Sequence, residues 1–193
     1  MKIWYDCEFL EDGQTIDLVS IGLVAEDGRE YYAVNSDVGW ADVVRHGWLM
    51  RNVVPHLPLD NRRSYDEWLA KEGKHEHLPT PRSTLLKLDR ADSRVKPHWV
   101  IANEVRDFIL ATPGPSLWAW YSAYDHVVLC QLWGQMIKLP KGVPMWTNDL
   151  KQECERLGNP RVPQQPEGEH NALADARHNR VIDEFLAGFR VQV

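Results

Sequence analysis

The sequence predicts an α/β fold, a mixed five-stranded sheet flanked by helices, in one domain spanning residues 1–193. Three observations carry that prediction. The first 35 residues hold three branched or aromatic runs joined by turn residues. From Trp40 the apolar period changes to steps of three and four, and two short apolar runs after residue 115 alternate with stretches of helical spacing.

The first strand is Lys2 to Phe9, an apolar and aromatic run interrupted by Asp6 and Glu8. Residues two apart in a strand share a face, so these carboxylates project side by side. Desolvating two adjacent like charges is costly unless a cation neutralises them. A turn at Glu11 to Gln14 leads to a second strand, Ile16 to Val24, rich in branched residues. Asp27-Gly28 is a favoured hairpin pair, and Glu30 to Asn35 returns as the third strand of an antiparallel meander.

Trp40, Val43, Val44 and Trp48 then mark one helix, ended by Pro55 and Pro58. Residues 59–95 read as an irregular, basic insertion, with short helices at Tyr65 to Lys71 and Ser83 to Leu88. Pro97 suits a helix start, and Val100, Ile101, Val105, Phe108 and Ile109 form an amphipathic face that stops before Pro113. Ser116 to Trp120 is a buried strand. A helix from Tyr124 to Trp133 follows, with Asp125 near the strand-to-helix junction. Met145 to Thr147 is a short strand and Asp149 to Leu157 a helix that Asp149 caps. After a proline-containing loop, the last helix runs from Asn171 to Phe189.

The chain is long enough to bury a substantial core, with 44% hydrophobic residues among 193. No stretch is apolar and long enough to span a bilayer, and Asp6 and Glu8 break any signal-peptide core. Three widely spaced cysteines, Cys7, Cys130 and Cys154, fit a reducing compartment, so the expected location is cytoplasmic. A net charge of −6 argues against a protein that coats nucleic acid with a broad basic surface. Residues 62–98 are nevertheless locally basic, with nine basic and six acidic side chains. There Arg62, Arg63, Lys87, Arg90 and Arg94 are candidates for phosphate contacts or for an oligomer interface.

Four carboxylates stand out: Asp6, Glu8, Asp125 and Asp175, the last preceded by His170. Taken singly, each could be a salt-bridge partner or a helix cap. Together they offer hard oxygen ligands of the kind Mg2+ and Mn2+ prefer. Two such cations about 3.5 to 4 Å apart polarise a phosphate and stabilise both the attacking and leaving oxygens. His170 and Asp175 are five residues apart, which in a regular helix is a rotation of about 140°. His170 therefore belongs just before the helix, from where an imidazole could act as general base.

Asp6-Cys7-Glu8, Trp120 to Asp125, and His170-Asn171-Ala172-Leu173-Ala174-Asp175-Ala176 resemble, in that order, the three motifs of the DEDDh 3′ to 5′ exonucleases. Ile21-Gly22 and Thr147 to Leu150 extend the likeness over nearly the whole chain. The resemblance implies a ribonuclease H-like fold and two Mg2+ or Mn2+ ions held by Asp6, Glu8, Asp125 and Asp175. It also implies His170 as the general base in hydrolysis of a nucleic acid from its 3′ end. Phe9 and Tyr121 stand where family members often carry Thr and Asn. Cys7, Phe9 and Trp48 are the expected substrate contacts. The short chain, with nine tryptophans and a long middle insertion, looks most like the mycobacterial adenylate-preferring branch. That implies single-stranded RNA ending in adenylate as substrate, release of 5′-mononucleotides, and a homodimer. The alternatives are the same chemistry on DNA or short oligonucleotides, and a catalytically silent nucleic-acid-binding module.

Overall fold

The computed structural model describes residues 1–72 and 86–190. Strands β1 (Lys2–Glu11), β2 (Ile16–Ala25) and β3 (Glu30–Asn35) form the expected antiparallel meander, with Gly28 at φ +90° in the turn between the last two. A two-residue strand, β4 (Val95–Lys96), adds parallel to the edge of β3. β5 (Ser116–Ala119) runs parallel beside β1, and β6 (Thr147–Asp149) parallel beside β5. The order is β4-β3-β2-β1-β5-β6. Six strands therefore stand where the sequence predicts five, because β4 is too short to leave a periodic signal. The remaining five have the mixed arrangement expected of a ribonuclease H-like fold.

The helices also depart from expectation in places. The stretch predicted as one helix from Trp40 is two, α1 (Trp40–Val43) and α2 (Gly47–Asn52), followed by a 3₁₀ turn at Val54–His56. His46 breaks the run: its backbone is extended, and its ring nitrogen accepts the Leu49 N–H at 3.3 Å, opening a new helix. Within the predicted insertion lies α3 (Arg62–Glu72). Of the helix expected at 83–88, residues 83–85 lie outside the described residues, and Leu88 makes a bridge with Leu59 instead. α4 (His98–Leu110), α5 (Ala123–Gln131), a 3₁₀ turn at Met136–Lys138, α6 (Leu150–Arg156) and α7 (Ala172–Arg190) complete the chain. β6 sits two residues later than predicted, since Thr147 to Asp149 pair with Leu117 to Ala119.

Side-chain alternation on β1 assigns the two faces of the sheet. Ile3, Tyr5 and Cys7 enter a core with Ile101, Val105 and Ile109 of α4 and Val128 and Leu129 of α5. Trp4 faces the other way, into a cluster with Leu150 of α6 and Ala176, Ile182 and Leu186 of α7. Asp6 and Glu8 follow Trp4 on that face. Each fully buried large side chain contributes roughly 1.5 to 3 kcal/mol. A third cluster gathers Val34, Val43, Val44, Met50, Val53, Val54, Leu57 and Tyr65, seating α1 to α3 on the far end of the sheet.

Directed contacts fix α7 against β1. Asp183 Oδ2 accepts from Lys2 Nζ at 2.6 Å and from Trp4 Nε1 at 3.0 Å, and Asn179 donates to the Tyr5 carbonyl at 3.0 Å. Gly22, directly opposite Asp6 in the register, admits the first turn of α7. A Cβ at Gly22 would lie 2.4 Å from the Ala172 oxygen and the Leu173 Cα, so no side chain fits there. This close approach brings Asp175 to the strand that carries Asp6 and Glu8. No helix among the described residues is long and apolar enough to cross a membrane.

Candidate active site

A depression of about 500 Å³ is lined by Asp6, Glu8, Asp125, Asp175 and His170, the five residues the sequence singles out. Several local devices bring them there. Asp6 and Glu8 share a face of β1, and the ladder irregularity between Glu8 and Phe9 brings Phe9 to the same rim. Asp125 lies in the first turn of α5, buried, with Oδ1 accepting the Cys7 backbone N–H at 2.8 Å. The entry to α5 is set by Asp149: Oδ2 accepts the Ser122 N–H at 2.8 Å, while Oδ1 caps α6 through Lys151 and Gln152, as predicted for that residue.

Asp175 occupies the first turn of α7. Asn171 starts that helix, its side chain accepting the Ala174 N–H at 3.0 Å. Asp175 then reaches back, with Oδ2 accepting the His170 N–H at 2.9 Å and Oδ1 accepting from Gln165 Nε2 at 2.6 Å. His170 lies outside the helix, as the five-residue spacing predicts, and its φ of +66° is unusual for a residue with a side chain. Ligand atoms of Glu8, His170 and Asp175 all lie within 4.8 Å of one another.

The electrostatics follow from this crowding. Burial, then repulsion from Asp125, Glu8 and Asp175, pushes the Asp6 carboxyl well above the ordinary range. Glu8 is pushed up to about 8 by burial and by Asp175 and Asp125. Asp125 rises to about 7 through burial, even though the Cys7 N–H favours its anion. Asp175 is raised by burial against the opposing pull of Gln165 and the His170 N–H. No lysine or arginine among the described residues lines the depression. Among the described residues the carboxylates are therefore held together without a lysine or arginine between them, and such a donor set fits a hard divalent cation.

The expected substrate contacts separate. Phe9 lines the rim, its ring 6.0 Å from that of Tyr124 at an interplanar angle of 17°. Cys7 contributes backbone, while its side chain packs in the core on the opposite face and burial raises its thiol. Trp48 sets its ring edge-on to His170, with centroids 4.8 Å apart at 74°. Trp146 is exposed beside a separate depression with Trp118 and Arg156. In the basic segment, Arg62 donates to the Leu57 carbonyl, Arg63 pairs with Glu67, Arg90 donates to the Ser36 carbonyl and Arg94 pairs with Asp92. Sequence reasoning missed Gln165, Trp120, Tyr124, His178 and Asn179 in the lining. For His178 and Asn179 a signal existed, since both lie one turn beyond Asp175 on α7.

No protein-family model matches the chain. It is 42% identical over 178 residues to the proteins called 3′-5′ exoribonuclease in Mycobacterium tuberculosis strains CDC 1551 / Oshkosh and H37Rv, across 92% of this chain and 88% of each relative. Among solved structures, S. pombe Pop2p in its Mg2+- and Mn2+-bound form has a TM-score of 0.41 at 12% identity, covering 96% of this chain and 81% of that one. A chain in the structure of the yeast NOT1 MIF4G domain co-crystallised with CAF1 has a TM-score of 0.44 at 9% identity, covering 99% of this chain and 79% of that one.

Proposed function

The chain belongs to the 3′-5′ exoribonuclease family of these mycobacterial relatives, and on that premise we propose that it releases 5′-mononucleotides from single-stranded RNA by metal-dependent hydrolysis, with His170 as general base. The observation that carries this reading is the convergence of Asp6, Glu8, Asp125, Asp175 and His170 in one depression lined by no lysine or arginine among the described residues. Asp6, Glu8, Asp125 and Asp175 would hold two Mg2+ or Mn2+ ions, which when bound supply Lewis-acid polarisation of the phosphate and charge stabilisation of the attacking and leaving oxygens.

His170 takes the proton of the attacking water as the water oxygen bonds to phosphorus. The bond from phosphorus to the 3′ oxygen of the penultimate nucleotide breaks. That oxygen picks up a proton, and the terminal nucleotide departs as its 5′-monophosphate. Asp175 supports the base directly, because its Oδ2 accepts the His170 N–H and fixes that residue's backbone. Phe9 and Tyr124 offer near-parallel aromatic faces at the rim, where a terminal base can stack; a purine offers the larger face, which supports an adenylate end as the preferred substrate. The exposed Met136 and Ile137 after α5, away from the depression, support assembly as a homodimer, and three free cysteines support residence in the reducing cytoplasm.

The test is degradation of 5′-labelled RNA with Mg2+ or Mn2+ and with chelator, by wild type, Asp6→Ala and His170→Ala. Stepwise shortening by wild type with metal, and its loss in the variants and the chelator, is expected. Equal degradation by all three proteins would overturn the reading. Matched oligoadenylate, oligouridylate and DNA substrates read the preference, and sedimentation reads the assembly.

A further inference from the structure

His170 holds a strained backbone at the end of a loop with little regular structure, so something must keep it there. The contacts converge on one peptide group. Its N–H, that of His170, donates to Asp175 Oδ2 at 2.9 Å. Its carbonyl, that of Glu169, faces the ring of His56, where it opposes the lowering that burial imposes on that imidazole. Beyond the peptide, the imidazole of His170 meets the ring of Trp48 edge-on.

His56 and Trp48 come from the same short segment, α2 and the 3₁₀ turn after it. That segment is well anchored. Leu49, Met50, Val53 and Val54 are buried in the core beneath it, and Tyr65 donates its hydroxyl to the Met50 carbonyl at 2.8 Å. Its outer surface carries Trp48, which is 44% exposed, and the half-buried His56. A rigid platform thus presents two side chains to the loop residue that the proposed chemistry depends on.

We infer that Trp48 and His56 are positioning residues, which together hold the 169–170 peptide and the His170 ring in register with the carboxylates. The inference rests on the reading of His170 as general base. It gives α2 a role unlike that of a substrate wall: Trp48 acts on the imidazole, and His56 acts on the backbone behind it. Misplacing a base affects the rate of the chemical step more than substrate affinity.

The experiment measures kcat and KM on oligoadenylate with Mg2+, under single-turnover conditions sensitive enough to read residual rates. Trp48→Ala and His56→Ala are each expected to lower kcat about tenfold, with KM moving less than about twofold. Trp48→Phe keeps an aromatic edge and should recover most of the rate. His56→Gln and His56→Asn place amide N–H groups near the ring's Nε2 and Nδ1 positions, and one of them should recover most of the rate as well. In a His170→Ala background, neither alanine substitution should cost anything further. Wild-type kcat in His170→Ala would sink the general-base reading itself. An impaired His170→Ala beside unimpaired Trp48→Ala and His56→Ala would overturn the positioning inference alone. So would losses confined to KM, or losses that multiply with that of His170→Ala.

Discussion

Asp6 and Asp183 both lie where β1 meets α7, and they differ in who neutralises them. Asp183 is buried and answered by Lys2 and by the Trp4 indole N–H. Asp6 sits among Glu8, Asp125 and Asp175, with burial and three like charges raising its carboxyl. One end of the interface is electrostatically complete. The other has no lysine or arginine among the described residues that line it. The comparison teaches that burial alone does not distinguish a structural carboxylate from a functional one; the identity of its partners does.

The contrast can be broken most sharply at Asp6. Asp6→Asn removes the charge of a proposed cation ligand and relieves repulsion, so turnover should fall by roughly 10³-fold, while Tm without metal should hold or rise. Steady-state kinetics beside thermal melting would check both, and a drop in Tm with activity retained would invert the assignment. Asp183→Ala should do the reverse. It strands Lys2 and the Trp4 N–H, costing about 3 kcal/mol in urea unfolding, with kcat unchanged in the protein that remains folded.

The pH dependence of the metal-free chain sharpens the same point. Burial and mutual repulsion raise Glu8 to about 8 and Asp125 to about 7, above the values of an unfolded chain. The native state is then favoured where these groups keep their protons. The contribution of these groups to stability should be greatest near pH 4, fall by several kcal/mol as pH rises toward 8, and level off above. Adding Mn2+ should remove most of that fall, as read by urea unfolding at a series of pH values. A smaller effect is expected at Gln165, which orients Asp175 through Oδ1. Gln165→Ala should weaken Mn2+ binding about tenfold by calorimetry, and unchanged affinity would show that the loop contact is dispensable.

Much of this arrangement was legible in the residues. The meander read correctly because branched and aromatic runs alternate with turn residues, and the Asp27-Gly28 turn left little freedom of register. Asp6, Glu8, Asp125, His170 and Asp175 could be named because carboxylates in apolar surroundings are anomalous and because their spacing resembles known motifs. What stayed hidden was set by tertiary contacts. β4 exists only because Val34 and Asn35 pair with Val95 and Lys96 at the sheet edge. α1 and α2 separate because the His46 side chain competes with the helix for the Leu49 N–H. Gln165 and His56 reach the site across ten residues and more than a hundred residues of sequence respectively, and no local pattern marks them.

The depression without lysine or arginine among its described lining residues also has a kinetic consequence. Above the pH at which Glu8 and Asp125 lose their protons, a phosphodiester approaching these carboxylates without a cation would meet charge of its own sign. On the proposed metal-dependent reading, metal would then load first and nucleotide second. With His170→Ala protein above that pH, RNA retention should appear only after the metal has been added.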